Sequence, residues 1–120
     1  MERILKDSFK YKGYQCAIIE FSNNDKLSMF QNYFPSRYLC GYVAIPYWHS
    51  AYEEDYKDLR INCHGGLTFS GHNLMGQHYP SWWIGFDCAH ADDISNPKNV
   101  EFVKKLCRNI VNQLITMEEN

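Results

Sequence analysis

Near the C-terminus, Val103, Leu106, Cys107, Ile110, Leu114 and Met117 recur at the spacing that lines up apolar side chains on one face of a helix. Lys104, Arg108, Asn112 and Gln113 take the wet face, and Glu101 precedes Lys105 at an ion-pairing interval. Ser95-Asn96-Pro97 reads as the helix start, with Asn96 as cap and Pro97 at the first helical position. One helix with one apolar stripe must bury that stripe against another layer. Upstream, the chain reads mainly as strands. Phe9-Lys10-Tyr11 and Tyr14-Gln15-Cys16 flank Lys12-Gly13 as a hairpin, and the second strand runs on through Ala17, Ile18, Ile19 and Phe21. Ser22-Asn23-Asn24-Asp25 closes it with turn chemistry. Residues 38–45 form a strand ended by Pro46, and residues 61–69 and 82–88 form two more, joined by a loop rich in Gly, His and Asn. Residues 27–34 fit either period, and residues 50–59 read as a short acidic helix or an ordered loop. The expected fold class is α+β: a small antiparallel sheet with a C-terminal helix packed on one face, in a single domain over 1–120.

Composition narrows the function classes. The hydrophobic fraction of 45% suits a closed core and excludes a disordered chain. The formal charge of −2 shows no basic excess, so no nucleic-acid partner is expected. No apolar run approaches the ~20 residues of a membrane span, and Met1-Glu2-Arg3-Ile4-Leu5-Lys6-Asp7 is too charged for a secretory signal. A cytoplasmic protein with no membrane partner is the expectation. Cys16, Cys40, Cys63, Cys88 and Cys107 are odd in number and lack Cys-x-x-Cys spacing, which fits free thiols better than disulfides or a structural zinc.

Chemistry-bearing residues are unevenly spread. All the histidines (His49, His64, His72, His78, His90) and tryptophans (Trp48, Trp82, Trp83) lie between positions 48 and 90. From Ile61 to Ala91 the only formal charge is Asp87. Such a neutral Gly/His/Trp stretch suits either aromatic faces kept available beside close-approaching backbone, or a sheet buried on both faces. In His64-Gly65-Gly66-Leu67-Thr68 the glycines allow a sharp bend with backbone N–H groups open to an anion or carbonyl oxygen. The alternative is a simple strand bend. The Gly-Lys-Ser/Thr ending of a phosphate-binding P-loop is absent. In the stretch from Trp82 to Asp93, alternation puts Trp83, Gly85 and Asp87 on one sheet face and Trp82, Ile84, Phe86 and Cys88 on the other. Asp87, His90 and Asp93 gather where strand gives way to loop, as a site or as turn chemistry. A cysteine nucleophile is disfavoured, because Cys63 and His64 are adjacent and would point to opposite faces of a strand. The segments Tyr47-Trp48-His49 and Glu53-Glu54-Asp55-Tyr56 read as a lid or rim, or as a solvated loop.

Cys40-Gly41-Tyr42-Val43-Ala44-Ile45-Pro46, then His49 and Asp55-Tyr56, then His64-Gly65-Gly66-Leu67-Thr68, then Trp83-Ile84-Gly85-Phe86-Asp87-Cys88-Ala89-His90-Ala91-x-Asp93 follow in order. Together they resemble a family of small uncharacterised bacteriophage and prophage proteins. That family carries Gly-Tyr-Val-x-Val-Pro, Gly-His-Pro, His-Gly-Gly-Leu-Thr-Tyr and Trp-x-Gly-Phe-Asp-Cys-Ala-His motifs. The resemblance covers about positions 40 to 93 and departs at Trp48 and Ser50, where the family has Gly and Pro around the histidine. It implies a phage-type accessory protein acting in an infected bacterial cytoplasm, and brings no established activity.

Three functions compete. A binding module would use Trp83 to stack a planar group, His64, Thr68, Asp87 and His90 to bond its polar edges, and the Gly65-Gly66 backbone for an anionic part; such a protein would sequester a nucleotide-like defence signal of the host. The scarcity of Lys and Arg in the motifs argues against a highly phosphorylated ligand, and charge would have to come from Arg37, Lys10, Lys12 or the C-terminal helix. A hydrolase would hold one divalent metal on His64, Asp87, His90 and Asp93, or use them as general acid and base; no other cofactor is expected. An inhibitor of a host protein would use the aromatic surface as its interface. The homo-oligomeric state is open.

Overall fold

The computed structural model describes residues 2–22, 37–89 and 98–118. Five strands, β1 (Glu2–Tyr11), β2 (Tyr14–Ser22), β3 (Arg37–Ile45), β4 (Phe69–Leu74) and β5 (Gln77–Asp87), precede one long helix, α1 (Val100–Glu118). The strands form one sheet in the order β1-β2-β3-β5-β4, with all neighbours antiparallel. The α+β class, with the C-terminal helix on one sheet face, is thus as the sequence led us to expect. No helix among the described residues is long and apolar enough to cross a membrane.

The first hairpin turns on Lys12 (φ 49°) and Gly13 (φ 85°), a left-handed pair that matches the twist of the flanking strands. β2 and β3 lie between neighbours and are covered on both faces, so their sequences read as continuous apolar runs. The second hairpin corrects the sequence reading, which placed a strand at 61–69 and a loop up to 81. Residues 61–68 are irregular: Gly65 (φ 68°) and Gly66 (φ 83°) are left-handed, which a strand cannot accommodate. Pairing instead starts at Phe69, turns at Met75 (φ 53°) and Gly76 (φ 79°), and returns along β5. The expected loop is therefore strand; its polar residues sit on an edge hairpin, where partial exposure is tolerated. Residues 50–59 resolve into turns and a single 3-10 turn at Tyr56–Asp58, capped by the Asp55 carboxylate accepting from Lys57 N at 2.9 Å.

Helix α1 buries Val103, Cys107, Ile110, Val111 and Leu114 against Cys16, Ile18, Val43, Ile45, Ile84 and Phe86. Leu106 and Met117 are only half-buried, and Val111 takes the stripe position not anticipated from the sequence. The helix begins at Val100, where Asn99 Oδ1 accepts from Phe102 N at 2.8 Å, so Asn99 is the cap in place of Asn96. Asn96 and Pro97 lie outside the described residues, as do Asn23, Asn24, Asp25 and residues 27–34.

Gly41 and Gly85 have a shared packing role. In the β3–β5 register Gly41 faces Phe86 and Tyr42 faces Gly85. A Cβ at Gly41 would lie 2.5 Å from the Phe86 ring, and one at Gly85 would lie 2.5 Å from the Tyr42 ring. Each glycine thus leaves room for the aromatic ring opposite, one on each face of the sheet. His49 supplies a second internal tie. It is buried, takes a bond from Ala51 N on Nδ1 at 2.9 Å, and so presents Nε2–H to the Leu114 carbonyl at 2.8 Å. The residue expected on a lid or rim instead fastens the post-β3 loop to α1.

Candidate functional site

The residues singled out from the sequence fall into three environments. Cys63 to Gly66 form a tight turn in which Gly66 N donates to Cys63 O at 3.0 Å, with Gly65 at the position that needs positive φ. The Gly66 N–H expected to meet an anion is thereby engaged within the turn. Thr68 N donates to Gly85 O at 2.9 Å and leads into β4, while the rest of Thr68 is exposed. His64 packs edge-on to Phe102 in the first turn of α1, with centroids 5.6 Å apart. Lys98 Nζ stands 5.5 Å from that same ring, so the turn and the helix start share one end of the molecule.

Asp87 ends β5 opposite Cys40, and its Oδ1 accepts from Ala89 N at 3.1 Å. Burial first, and the Asp87 charge second, push the Cys40 thiol up to about 12. Burial likewise pushes Cys63 up to about 11, with a smaller contribution from Asp87. The Tyr38 hydroxyl is raised by burial, Cys40 and Asp87. Thiols held this far above neutrality are poor nucleophiles. All five cysteines are free, and Cys16, Cys40, Cys88 and Cys107 are buried. His90 and Asp93 lie outside the described residues. Among the described residues no group of three or more His, Cys, Asp or Glu is placed to hold a metal.

Trp83 occupies the third environment and requires a correction. Alternation places it opposite Trp82, as expected, but its ring offers no open stacking face. It is 5% exposed, among Ala17, Ile19, Cys40, Tyr42, Ala44 and Leu74 on the helix-free side of the sheet. Trp82 packs half-buried at the margin of the main core, donating from Nε1 to Glu54 O at 2.9 Å.

The structure adds a pocket that the motifs did not mark. A cavity of about 330 Å³ opens where β1, β2, β3 and the end of β5 meet the start of α1. Among the described residues Lys6, Arg37 and Lys98 line it together with Glu20, which pairs with Lys6 at 3.4 Å. Leu39, Cys88 and Val100 give it an apolar floor, and Asn99-Val100 bring the positive end of the helix to its wall. Cys88 N donates to Leu39 O at 2.9 Å, which holds the residue after Asp87 against β3 beside the cavity. Arg37 was recognisable as a source of charge, whereas Lys6 and Lys98 come together only through the topology.

His72 was counted among the clustered histidines without a role. Its Nδ1 faces the Tyr79 and Ser81 carbonyls at 3.1 and 3.0 Å, and its Nε2 faces Glu53 Oε2 at 3.2 Å. Every partner is an acceptor, so the doubly protonated ring satisfies them all. The bond to Glu53 is the main cause of a raised pKa. Glu53 itself has φ 62°, an uncommon conformation for a residue other than glycine. Only the approach of the loop after β3 to the β4–β5 hairpin reveals this tie.

Comparison with protein-family models, curated proteins and solved structures finds no match.

Proposed function

We propose that the protein binds a small anionic, nucleotide-like ligand in the pocket at the start of α1 and holds it without turning it over. The carrying observation is that the described lining brings Lys6, Arg37 and Lys98 to one pocket beside Glu20. In a chain whose formal charge is −2, such a gathering of basic side chains suits an anion. The helix N-terminus adds partial positive charge and backbone N–H groups. Lys6 is already paired with Glu20, so the lining suits one phosphate or carboxylate group and disfavours a polyphosphate, in keeping with the few basic residues of the motifs. The volume lies at the lower end for small-molecule sites. A phage-type accessory protein, as the resemblance implies, would use such a pocket to withdraw a nucleotide-like signal from its host.

Native mass spectrometry of protein purified from bacterial cells, with metal analysis and chromatography of the heat-released fraction, tests the reading. A stoichiometric anion recovered chemically unchanged is expected from wild type and absent from Arg37→Gln/Lys98→Gln. A stoichiometric divalent metal, or a ligand returned in altered form, would replace binding by hydrolysis.

A further inference from the structure

The far end of α1 carries a different pocket. A cavity of about 240 Å³ opens where the loop after β3 meets the last turn of the helix, lined by Trp48, His49, Ser50, Met117 and Glu118. Its volume falls below the usual span for drug-sized ligands and suits a smaller molecule. It shares no lining residue with the pocket at the helix start.

The walls are built around Tyr14. Its buried ring meets Trp48 edge-on, with centroids 6.4 Å apart and planes at 68°, and its hydroxyl donates to Glu118 Oε1. One anchored residue thus positions both an indole and a carboxylate. Trp48 also leans on His49, with centroids 6.0 Å apart. The ring is held by two neighbours and is still 59% exposed, so a large aromatic surface stays open beside the pocket. The face of an indole carries negative electrostatic potential and attracts cations.

The surrounding fields have the same sign. Glu118 brings a carboxylate, and α1 ends at that residue with no basic side chain in its last turn, where the helix presents its negative end. None of the described lining residues is Lys or Arg. Acceptors are largely engaged: Glu118 Oε1 serves Tyr14, and the Leu114 carbonyl serves His49 Nε2. His49 Nδ1 in turn accepts from Ala51 N. Attraction for positive charge is therefore strong while open acceptors are few. That balance favours a cation that has no N–H groups to satisfy.

We propose that this pocket binds a small quaternary ammonium compound, with its methyl groups against the Trp48 ring and the Met117 side chain and its charge beside Glu118. The site lies at the opposite end of α1 from the anion pocket and does not rest on it.

Choline and 3,3-dimethylbutan-1-ol make a matched probe pair, since carbon replaces the charged nitrogen with little change in shape. Each is titrated into ¹⁵N-labelled protein at matched ionic strength while the indole N–H resonances are followed, with Trp82 and Trp83 as internal controls. Choline is expected to move the Trp48 resonance saturably and to bind at least roughly 2- to 5-fold more tightly than the alcohol, the range of an exposed cation–π contact. Glu118→Gln keeps an acceptor for Tyr14 and removes the charge, so it should weaken choline by a similar factor and leave the alcohol unchanged. Trp48→Leu, at an exposed position, identifies the resonance and should abolish the preference for choline. n-Butylammonium, which brings N–H donors, should bind more weakly than choline. A Trp48 resonance unmoved by choline, equal affinity for choline and the alcohol, or choline binding indifferent to Glu118→Gln would overturn the proposal. So would tighter binding of n-butylammonium, because the site would then suit a lysine-type ammonium.

Discussion

Replacing Gly41 by alanine tests the packing logic of the motif glycines. The new Cβ would lie 2.5 and 2.6 Å from Phe86 Cζ and Cε1, and 2.9 Å from Cys107 Sγ. Carbon atoms prefer roughly 3.5–4.0 Å, so the ring must retreat by about 1 Å. Phe86 is 1% exposed and Cys107 fully buried, so the motion presses on the seated face of α1. Overpacking of this kind costs ~1–3 kcal/mol. Removing a strand glycine returns ~0.5–1 kcal/mol of backbone entropy. A net loss of about 1–2 kcal/mol is expected, read as a lower urea midpoint with unchanged slope. Phe86→Leu in the same chain should make the two losses less than additive, because the smaller side chain vacates the space. Gly85→Ala should behave alike through Tyr42, with the Gly41 carbonyl at 2.9 Å as an additional, unyielding obstacle. A Gly41→Ala variant as stable as wild type, or additive losses in the double variant, would refute the interlock.

Other outcomes follow from the same structure. His49→Ala strips partners from Ala51 N and the Leu114 carbonyl and should lower stability by roughly 2–4 kcal/mol in urea melts; a neutral result would show the tie to be dispensable. Ile110→Ala should cost ~2–5 kcal/mol, whereas Leu106→Ala, half-buried, should cost clearly less; equal losses would contradict the observed helix facing. His72 has a folded-state pKa above its ordinary value of 6.5, chiefly through Glu53. Its contribution to stability is therefore full below that ordinary value and is lost as pH rises through the raised one. The urea-midpoint difference between wild type and Glu53→Gln should shrink over that window, and a pH-independent difference would refute the pairing.

The fold was legible where one physical signal dominated. The α1 stripe, the Lys12-Gly13 hairpin and the run ended by Pro46 each follow from period or turn chemistry alone, and all appear in the structure. The second hairpin was not legible, because the polar residues of β4 look like a loop. The glycines at 65 and 66 broke a run that hydrophobicity alone made continuous. Trp83 was read from alternation, which gave the correct side, but alternation cannot tell that the helix-free side is itself closed by Leu74 and Tyr79. The cationic pocket was only partly visible, since Lys6, Arg37 and Lys98 are far apart in sequence and belong to no motif.

Calorimetric titration with adenosine monophosphate and adenosine, at low and at moderate salt, probes the proposed anion pocket at the start of α1. The monophosphate should bind, adenosine should bind at least about tenfold more weakly, and added salt should narrow the gap. Arg37→Gln should weaken the monophosphate roughly 10- to 100-fold, the scale of a charge-assisted hydrogen bond, while leaving adenosine unchanged. Equal affinity for the two compounds, or monophosphate binding indifferent to Arg37→Gln, would contradict it.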